Sequence, residues 1–230
     1  MFGVIVVAGG IGTRMGSQIP KQFIDINGLP ILAHTLTKIL MYPGVSNLWL
    51  VLPQDWAEYW DKLVQQKQLQ WRIPINIIFG GKTRTESVWN ALKSIQNSNL
   101  DLQWIAIHDA CRPLINNTLI ESILQIAKLK GGAVPAIPVK SSLRKITQNG
   151  SIACNRDEYY EVQTPQIFSF NYLIEAYQNL HNQPFTDDAS LFEAAGFSVS
   201  IAQGAFDNIK ITTEEDLFTA QKILDKLSNS

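Results

Sequence analysis

The sequence predicts an α/β protein with a Rossmann-like arrangement, in which helices flank a mainly parallel, twisted sheet. Short apolar runs rich in β-branched residues, of which residues 4–7 are the first, alternate with longer segments of helical periodicity. These runs lack polar alternation, as is typical of strands buried on both faces of a parallel sheet. A chain of 230 residues with 46% hydrophobic residues can form a sizeable core, so we expect a single domain over residues 1–230.

Charge and composition exclude several classes of protein. The formal net charge is −1, so no overall basic field attracts nucleic acid. No apolar run approaches the roughly 18 residues of a membrane span, and the first residues lack the basic region and cleavage site of a secretory signal. The two cysteines, Cys111 and Cys154, form no CxxC pair and suit free thiols. We therefore expect a cytoplasmic protein that binds neither membranes nor nucleic acid.

A glycine-rich segment follows the first predicted strand. It runs from Ala8 to Lys21 and contains glycines at positions 9, 10, 12 and 16. Glycine lets backbone N–H groups approach a ligand closely, and such groups bind phosphate oxygens. Two cations, Arg14 and Lys21, lie in the same segment, where they have little packing purpose. The segment is therefore predicted to bind a phosphate group.

Two better-known glycine loops do not fit this segment. A P-loop requires GxxxxGK[ST], and no Lys-Ser or Lys-Thr pair follows these glycines. A dinucleotide loop requires GxGxxG leading into a helix, but the third glycine falls at position 16 rather than 15, and Pro20 would interrupt an early helix. An ordinary glycine-rich connection stays open as the alternative.

Periodicity and turn residues predict the order of the remaining elements. We expect helices over residues 30–40, 54–68, 82–95, 117–130, 171–180, 186–196 and after 213, and strands over residues 47–52, 73–79, 104–107, 133–139 and 199–202. Asn27-Gly28 suits a turn before the first helix. Thr186 suits an N-cap, and Thr213 and Asp216 have the spacing of a capping box. The aromatic residues of the second helix are expected to pack in the core or against a second subunit.

Chemically useful side chains lie at the predicted ends of strands. Asp109 follows the fourth apolar strand directly, and open parallel sheets bind ligands at the carboxyl ends of their strands. Because Mg²⁺ prefers one or two carboxylates plus substrate phosphates, Asp109 is predicted to bind it, with turn capping as the alternative. The three histidines show no metal-ligand spacing. Lys210 lies between two β-branched residues, so its ammonium group is expected at a strand end.

Residues 139–162 interrupt the alternation of strands and helices. They contain short alternating segments around Asn149-Gly150, a dipeptide typical of hairpin turns. We expect these residues to form an extended β-arm that protrudes from the domain. Because an isolated hairpin cannot bury itself, such an arm favours contact with a second subunit.

Seven separated motifs occur in order between residues 4 and 224. They are AGGxGxRM at residues 8–15, PKQ at 20–22, GGxxRxxSV at 80–88, HDAxRP at 108–113, TPQ at 164–166, TDxAS at 186–190 and NIKIT at 208–212. The series resembles that of nucleotidyltransferases that make CDP-linked products, in particular the 2-C-methyl-D-erythritol 4-phosphate cytidylyltransferases of the non-mevalonate isoprenoid pathway. Each motif alone is weak, and it is their order that makes the resemblance specific.

The resemblance implies a reaction and a set of site residues. The reaction is transfer of CMP from CTP, with Mg²⁺, to a polyol phosphate that attacks the α-phosphorus in line. Catalytic roles are implied for Arg14, Lys21 and Lys210. Nucleotide contacts are implied for Ala8, Gly9, Gly10, Gly12, Gly81, Ser87, Asp109 and Ala110. Acceptor contacts are implied for Arg112, Ser142, Arg156, Thr164 and Thr186, with the β-arm of a homodimer partner completing the site.

Two other functions stay open on the residues alone. A ribitol 5-phosphate cytidylyltransferase has nearly the same glycine loop and PKQF motif, although Ala110 and Val162 favour the erythritol phosphate family. A regulatory nucleotide-binding module without turnover is the alternative of another class, and the retained basic and acidic site residues argue against it. Ser142 stands where the family usually has threonine, and Lys82 stands where an acidic residue is frequent.

Overall fold

The computed structural model of the chain describes residues 1–9, 19–98 and 100–228. The strands are β1 (Phe2–Val7), β2 (Asp25–Ile26), β3 (Leu29–Pro30), β4 (Val45–Leu52), β5 (Ile75–Phe79), β6 (Trp104–Asp109), β7 (Gly132–Pro138), β8 (Arg144–Thr147), β9 (Gly150–Ala153), β10 (Tyr160–Val162), β11 (Gln166–Ser169) and β12 (Ser200–Gln203). The helices are α1 (Ile31–Leu40), α2 (Ala57–Gln66), α3 (Arg84–Gln96), α4 (Asn117–Lys130), α5 (Phe170–Leu180), α6 (Asp188–Ala194) and α7 (Glu214–Ser228). Gly10, Gly12 and Arg14 lie outside the described residues, so the roles predicted for them stay predictions.

The central sheet has eight strands among the described residues. Strands β5, β4, β1 and β6 are neighbours in that order and run parallel. Strand β11 pairs antiparallel with both β6 and β7, so β7 runs in the same direction as β6. Strand β12 is parallel to β7, whereas β10 is antiparallel to it. Six strands therefore share one direction, and the predicted mainly parallel α/β sheet is confirmed.

Helices cover both faces of the sheet because the central strands are apolar on both faces. In β1, Val4 and Val6 pack into one core cluster and Ile5 packs into the other, as the two-residue period of a strand requires. The first cluster contains residues of α1, α2 and α4, and the second contains residues of α3, α5 and α6. None of the described helices combines the length and the apolar character needed to cross a bilayer.

The aromatic residues near the start of α2 pack in the core, which is one of the two outcomes expected for them. The ring of Phe23 lies 5.6 Å from that of Trp56 and 6.3 Å from that of Trp60. Tyr59 packs edge-on against both Phe23 and Trp56. This cluster attaches the short 3₁₀ turn Lys21–Phe23 to α2 and thereby fixes the backbone of Lys21.

The local predictions for Thr186 and Lys210 were wrong. The N-cap of α6 is Asp187 rather than Thr186, because Asp187 and Ser190 form a reciprocal capping box one residue further along the chain. Residues 208–213 form no strand, so Lys210 lies in the irregular segment between β12 and α7. By contrast, the predicted reciprocal bonds between Thr213 and Asp216 are present at 3.0 and 3.2 Å.

The residues of the predicted β-arm form the β8–β9 hairpin, a short 3₁₀ turn and β10, which joins the central sheet through β7. The hairpin turn is Gln148-Asn149 rather than Asn149-Gly150, because the last residue of β8 pairs with Gly150. Gly150 has a φ of 129°, which glycine adopts without steric cost. Ile146 and Ile152 of the hairpin are 79% and 55% exposed. That the arm protrudes and dimerises stays a prediction.

Candidate active site

A cavity opens at the carboxyl ends of β1 and β6. Its described lining residues are Val7, Ala8, Gly9, Lys21, Gln22, Gly81, Lys82, Thr83, Arg84, Ser87, Asp109, Ala110, Cys111 and Lys210. The backbone N–H of Ala8 donates to the Val51 carbonyl at 2.9 Å, and that of Ala110 donates to the Val7 carbonyl at 3.1 Å. Parallel neighbours end at the same edge of the sheet, so the loops that follow them converge there.

Asp109 is the buried carboxylate of this cavity. Lys210 Nζ lies 2.8 Å from its Oδ2, while Arg84 Nε and Arg112 Nε each lie 3.7 Å from one of its oxygens. Burial alone would raise the pKa of Asp109, but the charges of Arg84, Lys210 and Arg112 outweigh it and hold the pKa well below its usual range. The carboxylate is therefore ionised at neutral pH, and positive charge exceeds negative charge around it.

Lys21 and Lys210 come from opposite ends of the chain and meet beside Ile211. Lys21 Nζ donates to the Ile211 carbonyl at 2.9 Å. The adjacent Gln22 is buried, and its Nε2 donates to the Ala8 carbonyl at 2.6 Å. The PKQ motif therefore connects the end of β1 to the segment of Lys210 and brings two cations to the same side of the cavity.

The segment that carries Lys210 is held by side-chain hydrogen bonds and by a backbone bond from the Ile211 N–H to the Cys111 carbonyl at 2.9 Å. Gln163 Nε2 donates to the Ala205 carbonyl at 2.8 Å, and Gln163 Oε1 accepts the Ala205 N–H at 3.2 Å. The fully buried Asn208 donates from Nδ2 to the Thr164 carbonyl at 3.0 Å. These bonds satisfy an irregular backbone, as buried polar groups require, and they hold Lys210 at a defined position.

The turn at Gly80-Gly81 approaches α3 closely. A Cβ atom at Gly81 would lie 2.3 Å from the side chain of Glu86, so only glycine fits there without rearrangement. Ser87 Oγ accepts the Gly81 N–H at 3.0 Å and donates to the Thr83 carbonyl at 2.8 Å. Thr83 is the N-cap of α3 and accepts the Glu86 N–H at 3.0 Å. Gly81 and Ser87 therefore form one wall of the cavity.

His108 is a buried, neutral residue behind Asp109. Its Nε2 lies 3.2 Å from the Arg112 carbonyl, which can only accept, so Nε2 carries the proton. Nδ1 then accepts from the Thr164 hydroxyl at 3.1 Å, and Thr164 Oγ1 accepts the Asp109 N–H at 3.1 Å. Burial lowers the pKa of His108 to about 4. The network fixes the backbone of Asp109, and the hydroxyl proton of Thr164 is donated to His108.

We expect the buried His108 to reduce stability on mild acidification. Its folded pKa of about 4 lies below the ordinary 6.5, so between these values the unfolded chain binds a proton that the folded chain does not. The contribution of His108 is intact above about pH 6.5 and declines toward pH 4, with a loss of about 2 kcal/mol between pH 7 and pH 5. Urea unfolding at the two pH values measures this loss. The non-titrating variant His108→Gln should show a smaller loss, and an equal loss in both proteins would contradict the assignment.

The structure brings eight of the predicted site residues together and leaves others apart. Those around the cavity are Ala8, Gly9, Lys21, Gly81, Ser87, Asp109, Ala110 and Lys210. Arg112 and Thr164 are buried behind Asp109. Ser142, Arg156 and Thr186 are exposed and are not among the described lining residues. Their predicted contacts with the acceptor stay predictions.

Sequence reasoning missed the residues that support the site from behind. Gln163 and Asn208 hold the segment of Lys210, and Asp188 pairs with Arg84 at 2.6 Å. The Glu86 side chain accepts the Lys82 N–H at 2.7 Å. Asn208 lies inside the NIKIT motif, so motif membership was the available signal for it, whereas Asp188 occupies the unspecified position of TDxAS.

Asp109 is the residue that could hold a divalent cation. The described residues contain no group of three or more His, Cys, Asp or Glu side chains arranged to hold a metal. One carboxylate suffices where a triphosphate supplies further oxygen ligands, as Mg²⁺ commonly requires in nucleotide sites. The donor set therefore fits Mg²⁺ that binds with a nucleotide rather than a metal enclosed by protein alone.

Comparison with known proteins identifies relatives along nearly the whole chain. Residues 2–226 match the family model described as IspD: 2-C-methyl-D-erythritol 4-phosphate cytidylyltransferase. A protein of that name from Azobacteroides pseudotrichonymphae is 40% identical over 223 residues, which cover 96% of this chain and 98% of the relative. One from Porphyromonas gingivalis is 39% identical over 221 residues, which cover 96% of each chain.

Solved structures agree with these relatives. The 4-diphosphocytidyl-2C-methyl-D-erythritol synthase of Anaerococcus prevotii superposes with a TM-score of 0.82 at 25% identity and covers 98% of both chains. The 2-C-methyl-D-erythritol 4-phosphate cytidylyltransferase of Francisella tularensis superposes with a TM-score of 0.77 at 28% identity, covering 96% of this chain and 98% of that one. Since the family model and the relatives match nearly end to end, the chain belongs to the 2-C-methyl-D-erythritol 4-phosphate cytidylyltransferase family.

Proposed function

We propose that this chain transfers the CMP group of CTP to 2-C-methyl-D-erythritol 4-phosphate, giving 4-diphosphocytidyl-2-C-methyl-D-erythritol and pyrophosphate. Membership of the family supports the reaction and both substrates. The observation that carries the proposal is the convergence of Lys21 and Lys210 with Asp109 beside Gly9 and the Gly80-Gly81 turn at the carboxyl edge of the sheet. Cations next to backbone N–H groups suit a polyphosphate ligand.

Electrostatic repulsion is the main obstacle to this reaction. The acceptor phosphate attacks the α-phosphorus in line, the bond from that phosphorus to the bridging oxygen of the β-phosphate breaks, and pyrophosphate leaves. Both reactants are anions, and negative charge is crowded on the nonbridging oxygens in the transition state. Preorganised cations lower this barrier because they need no reorganisation during the reaction. Lys21 and Lys210 supply such cations, and the resemblance adds Arg14.

The proposed transfer needs no general base or protein nucleophile. A phosphate monoester is largely ionised at neutral pH, since its second pKa is about 6. His108 is neutral and hydrogen-bonded at both ring nitrogens. Burial raises the pKa of Cys111 to about 11, so its thiol is not a nucleophile near neutral pH. These properties favour direct attack over a covalent enzyme intermediate.

Asp109 is proposed to hold Mg²⁺ together with phosphate oxygens of CTP. When bound, the ion supplies Lewis-acid stabilisation of the charge on the phosphoryl oxygens. Lys210 lies 2.8 Å from Asp109 Oδ2, and we propose that it turns from this carboxylate to the phosphates when the nucleotide binds. The ion pair therefore keeps the lysine next to the triphosphate position before substrate arrives.

A homodimer is proposed to complete the acceptor site. Among the described residues, the β8–β9 hairpin pairs with no strand of the central sheet, and it exposes Ile146 and Ile152. An isolated two-stranded hairpin with exposed apolar side chains is marginally stable, which favours burial against a second copy. Arg156 and Ser142 would then reach the acceptor in the site of the other subunit.

We expect Arg156→Ala to raise the KM for the acceptor by about tenfold or more, because a charge-assisted phosphate contact is lost. If the arm crosses to the partner, heterodimers of this variant with Lys21→Ala should have the wild-type KM, since their one site with an intact Lys21 then also has an intact Arg156. Initial rates with heterodimers verified by native mass spectrometry measure both effects. Arg144→Ala, which removes an arginine from the same arm, is the matched control. Heterodimers that form but keep the raised KM of Arg156→Ala would contradict the crossed arm.

Pyrophosphate release with CTP, Mg²⁺ and one acceptor at a time tests the proposed function. Release with 2-C-methyl-D-erythritol 4-phosphate and not with ribitol 5-phosphate supports it. Release with ribitol 5-phosphate alone would assign the neighbouring cytidylyltransferase activity instead. CTP binding without release from either acceptor would indicate a nucleotide-binding module.

A further inference from the structure

Arg84 lies between two aspartates in the wall of the cavity. Its Nη2 donates to Asp188 Oδ2 at 2.6 Å, whereas its Nε is 3.7 Å from Asp109 Oδ1. The first contact is a short charge-assisted hydrogen bond, and the second exceeds hydrogen-bonding range. Arg84 is therefore bonded to Asp188 and only adjacent to Asp109.

Asp188 is anchored on its other side by the packing of α5 against α6. Its second carboxylate oxygen, Oδ1, accepts the Tyr177 hydroxyl at 2.5 Å. Asp188 is completely buried and Tyr177 is 1% exposed. A close-packed interior resists displacement of either side chain, so Asp188 is a rigid partner for Arg84. Asp188 is not among the described residues that line the cavity, and any effect on the site must pass through Arg84.

Arg112 is restrained in a comparable way on the opposite side of Asp109. Its Nη1 donates to the Asn208 carbonyl at 2.8 Å, while its Nε stays 3.7 Å from Asp109 Oδ2. Among the described residues, Lys210 Nζ is the charged group closest to the Asp109 carboxylate. Two guanidinium groups are therefore kept at a distance from Asp109 by other partners, and a lysine makes the direct contact.

Release of Arg84 would let it close on Asp109. Arginine binds carboxylates through two parallel hydrogen bonds, a geometry that lysine cannot match. Such a pair would occupy both carboxylate oxygens and displace Lys210. It would also remove the oxygen lone pairs that a divalent cation requires.

We propose that Asp188, held by Tyr177, is a positioning residue that withholds Arg84 from Asp109. The Asp109 carboxylate then stays available to a divalent cation, which can replace Lys210 there. The role of the cation rests on the proposed function. The position of Arg84 relative to Asp109 does not, because it concerns three side chains of the protein alone.

A purely structural ion pair would behave differently from a positioning pair. Its loss would lower the Tm and reduce activity equally at every Mg²⁺ concentration. If Asp188 withholds Arg84, its loss makes Arg84 and Mg²⁺ compete for one carboxylate, so the Mg²⁺ concentration needed for half-maximal activity rises. High Mg²⁺ then restores much of the rate.

Asp188→Asn tests the proposal, since it keeps the shape of the side chain and an acceptor for Tyr177 but removes the charge that holds Arg84. We expect its crystal structure to bring an Arg84 nitrogen within hydrogen-bonding distance of Asp109. At saturating CTP, the Mg²⁺ concentration needed for half-maximal activity should rise about tenfold, because the new charged hydrogen bond from Arg84 competes with Mg²⁺ for Asp109. Asp187→Asn is the matched control, because Asp187 caps α6 and bonds Gln166 without contacting Arg84.

The two measurements separate the failure of this inference from that of the proposed function. If wild-type protein releases no pyrophosphate, the reaction assignment fails and the Arg84–Asp109 distance in the variant still decides the positioning. Arg84 remaining about 3.7 Å from Asp109 in Asp188→Asn would overturn the proposal. Should that variant not fold, Tyr177→Phe removes only the hydroxyl that anchors Asp188. A Mg²⁺ requirement of Tyr177→Phe about threefold above that of wild type supports the proposal, and an unchanged one overturns it.

Discussion

Lys21→Ala is expected to lower kcat by about a thousandfold, because it removes a preorganised cation from the transition state. Lys21 is attached to the Ile211 carbonyl at 2.9 Å, and its neighbour Gln22 holds the Ala8 carbonyl at 2.6 Å. The ammonium group is therefore fixed in position before substrate binds. The KM for CTP should change far less than kcat if Lys21 acts mainly in the transition state.

Steady-state pyrophosphate release with varied CTP separates the two parameters. Lys82→Ala is the matched control, since Lys82 also lines the cavity but its side chain is exposed. The control should retain kcat within about threefold, as expected for a solvated surface charge. A kcat of Lys21→Ala close to that of Lys82→Ala would remove Lys21 from transition-state stabilisation.

Asp109→Asn is expected to lower kcat/KM for CTP by about a thousandfold, because it removes the carboxylate proposed to hold Mg²⁺. The same change takes from Lys210 the ion pair that holds it at 2.8 Å. Lys210 and Arg112 then lose their acidic partner, whereas Arg84 keeps its ion pair with Asp188. The backbone should be preserved, since the Asp109 N–H donates to Thr164 Oγ1 independently of the side chain.

Pyrophosphate release over a range of Mg²⁺ concentrations measures this effect. Asp207→Asn serves as the control, because Asp207 is an exposed acidic residue in the segment that leads to Lys210. It should leave the Mg²⁺ dependence unchanged. An Asp109→Asn enzyme with a normal Mg²⁺ requirement and a normal rate would exclude Asp109 as the metal ligand.

Local chemistry made several elements predictable. The helix over residues 117–130 matches α4, since the Asn116 side chain accepts the Leu119 N–H and Gly131 takes a φ of 90° at its end. Buried parallel strands were predictable because their apolar runs are continuous. The cavity was predictable in outline because a glycine-rich segment follows β1, Asp109 ends β6, and the carboxyl ends of parallel neighbours meet at one edge.

Predictions failed where two neighbouring residues had similar local chemistry. Thr186 and Asp187 are both suitable N-caps, and the partner Ser190 selected Asp187. The hairpin turn shifted by one residue, so that Gln148-Asn149 forms the turn and Gly150 begins β9. Lys210 lies between β-branched residues and was expected at a strand end, but Gln163 and Asn208 hold its segment in an irregular conformation instead.

The sequence by itself determined the family, the mainly parallel sheet and the residues that converge at its carboxyl edge, because apolar periodicity and ordered motifs are properties of the chain. Only the tertiary structure decided the partners of the charged groups. Arg84 bonds Asp188, which is 104 positions away, and Lys21 bonds the carbonyl of Ile211, which is 190 positions away. Such pairs depend on how helices and loops pack across the sheet, and a buried charge takes the partner that this packing brings within reach.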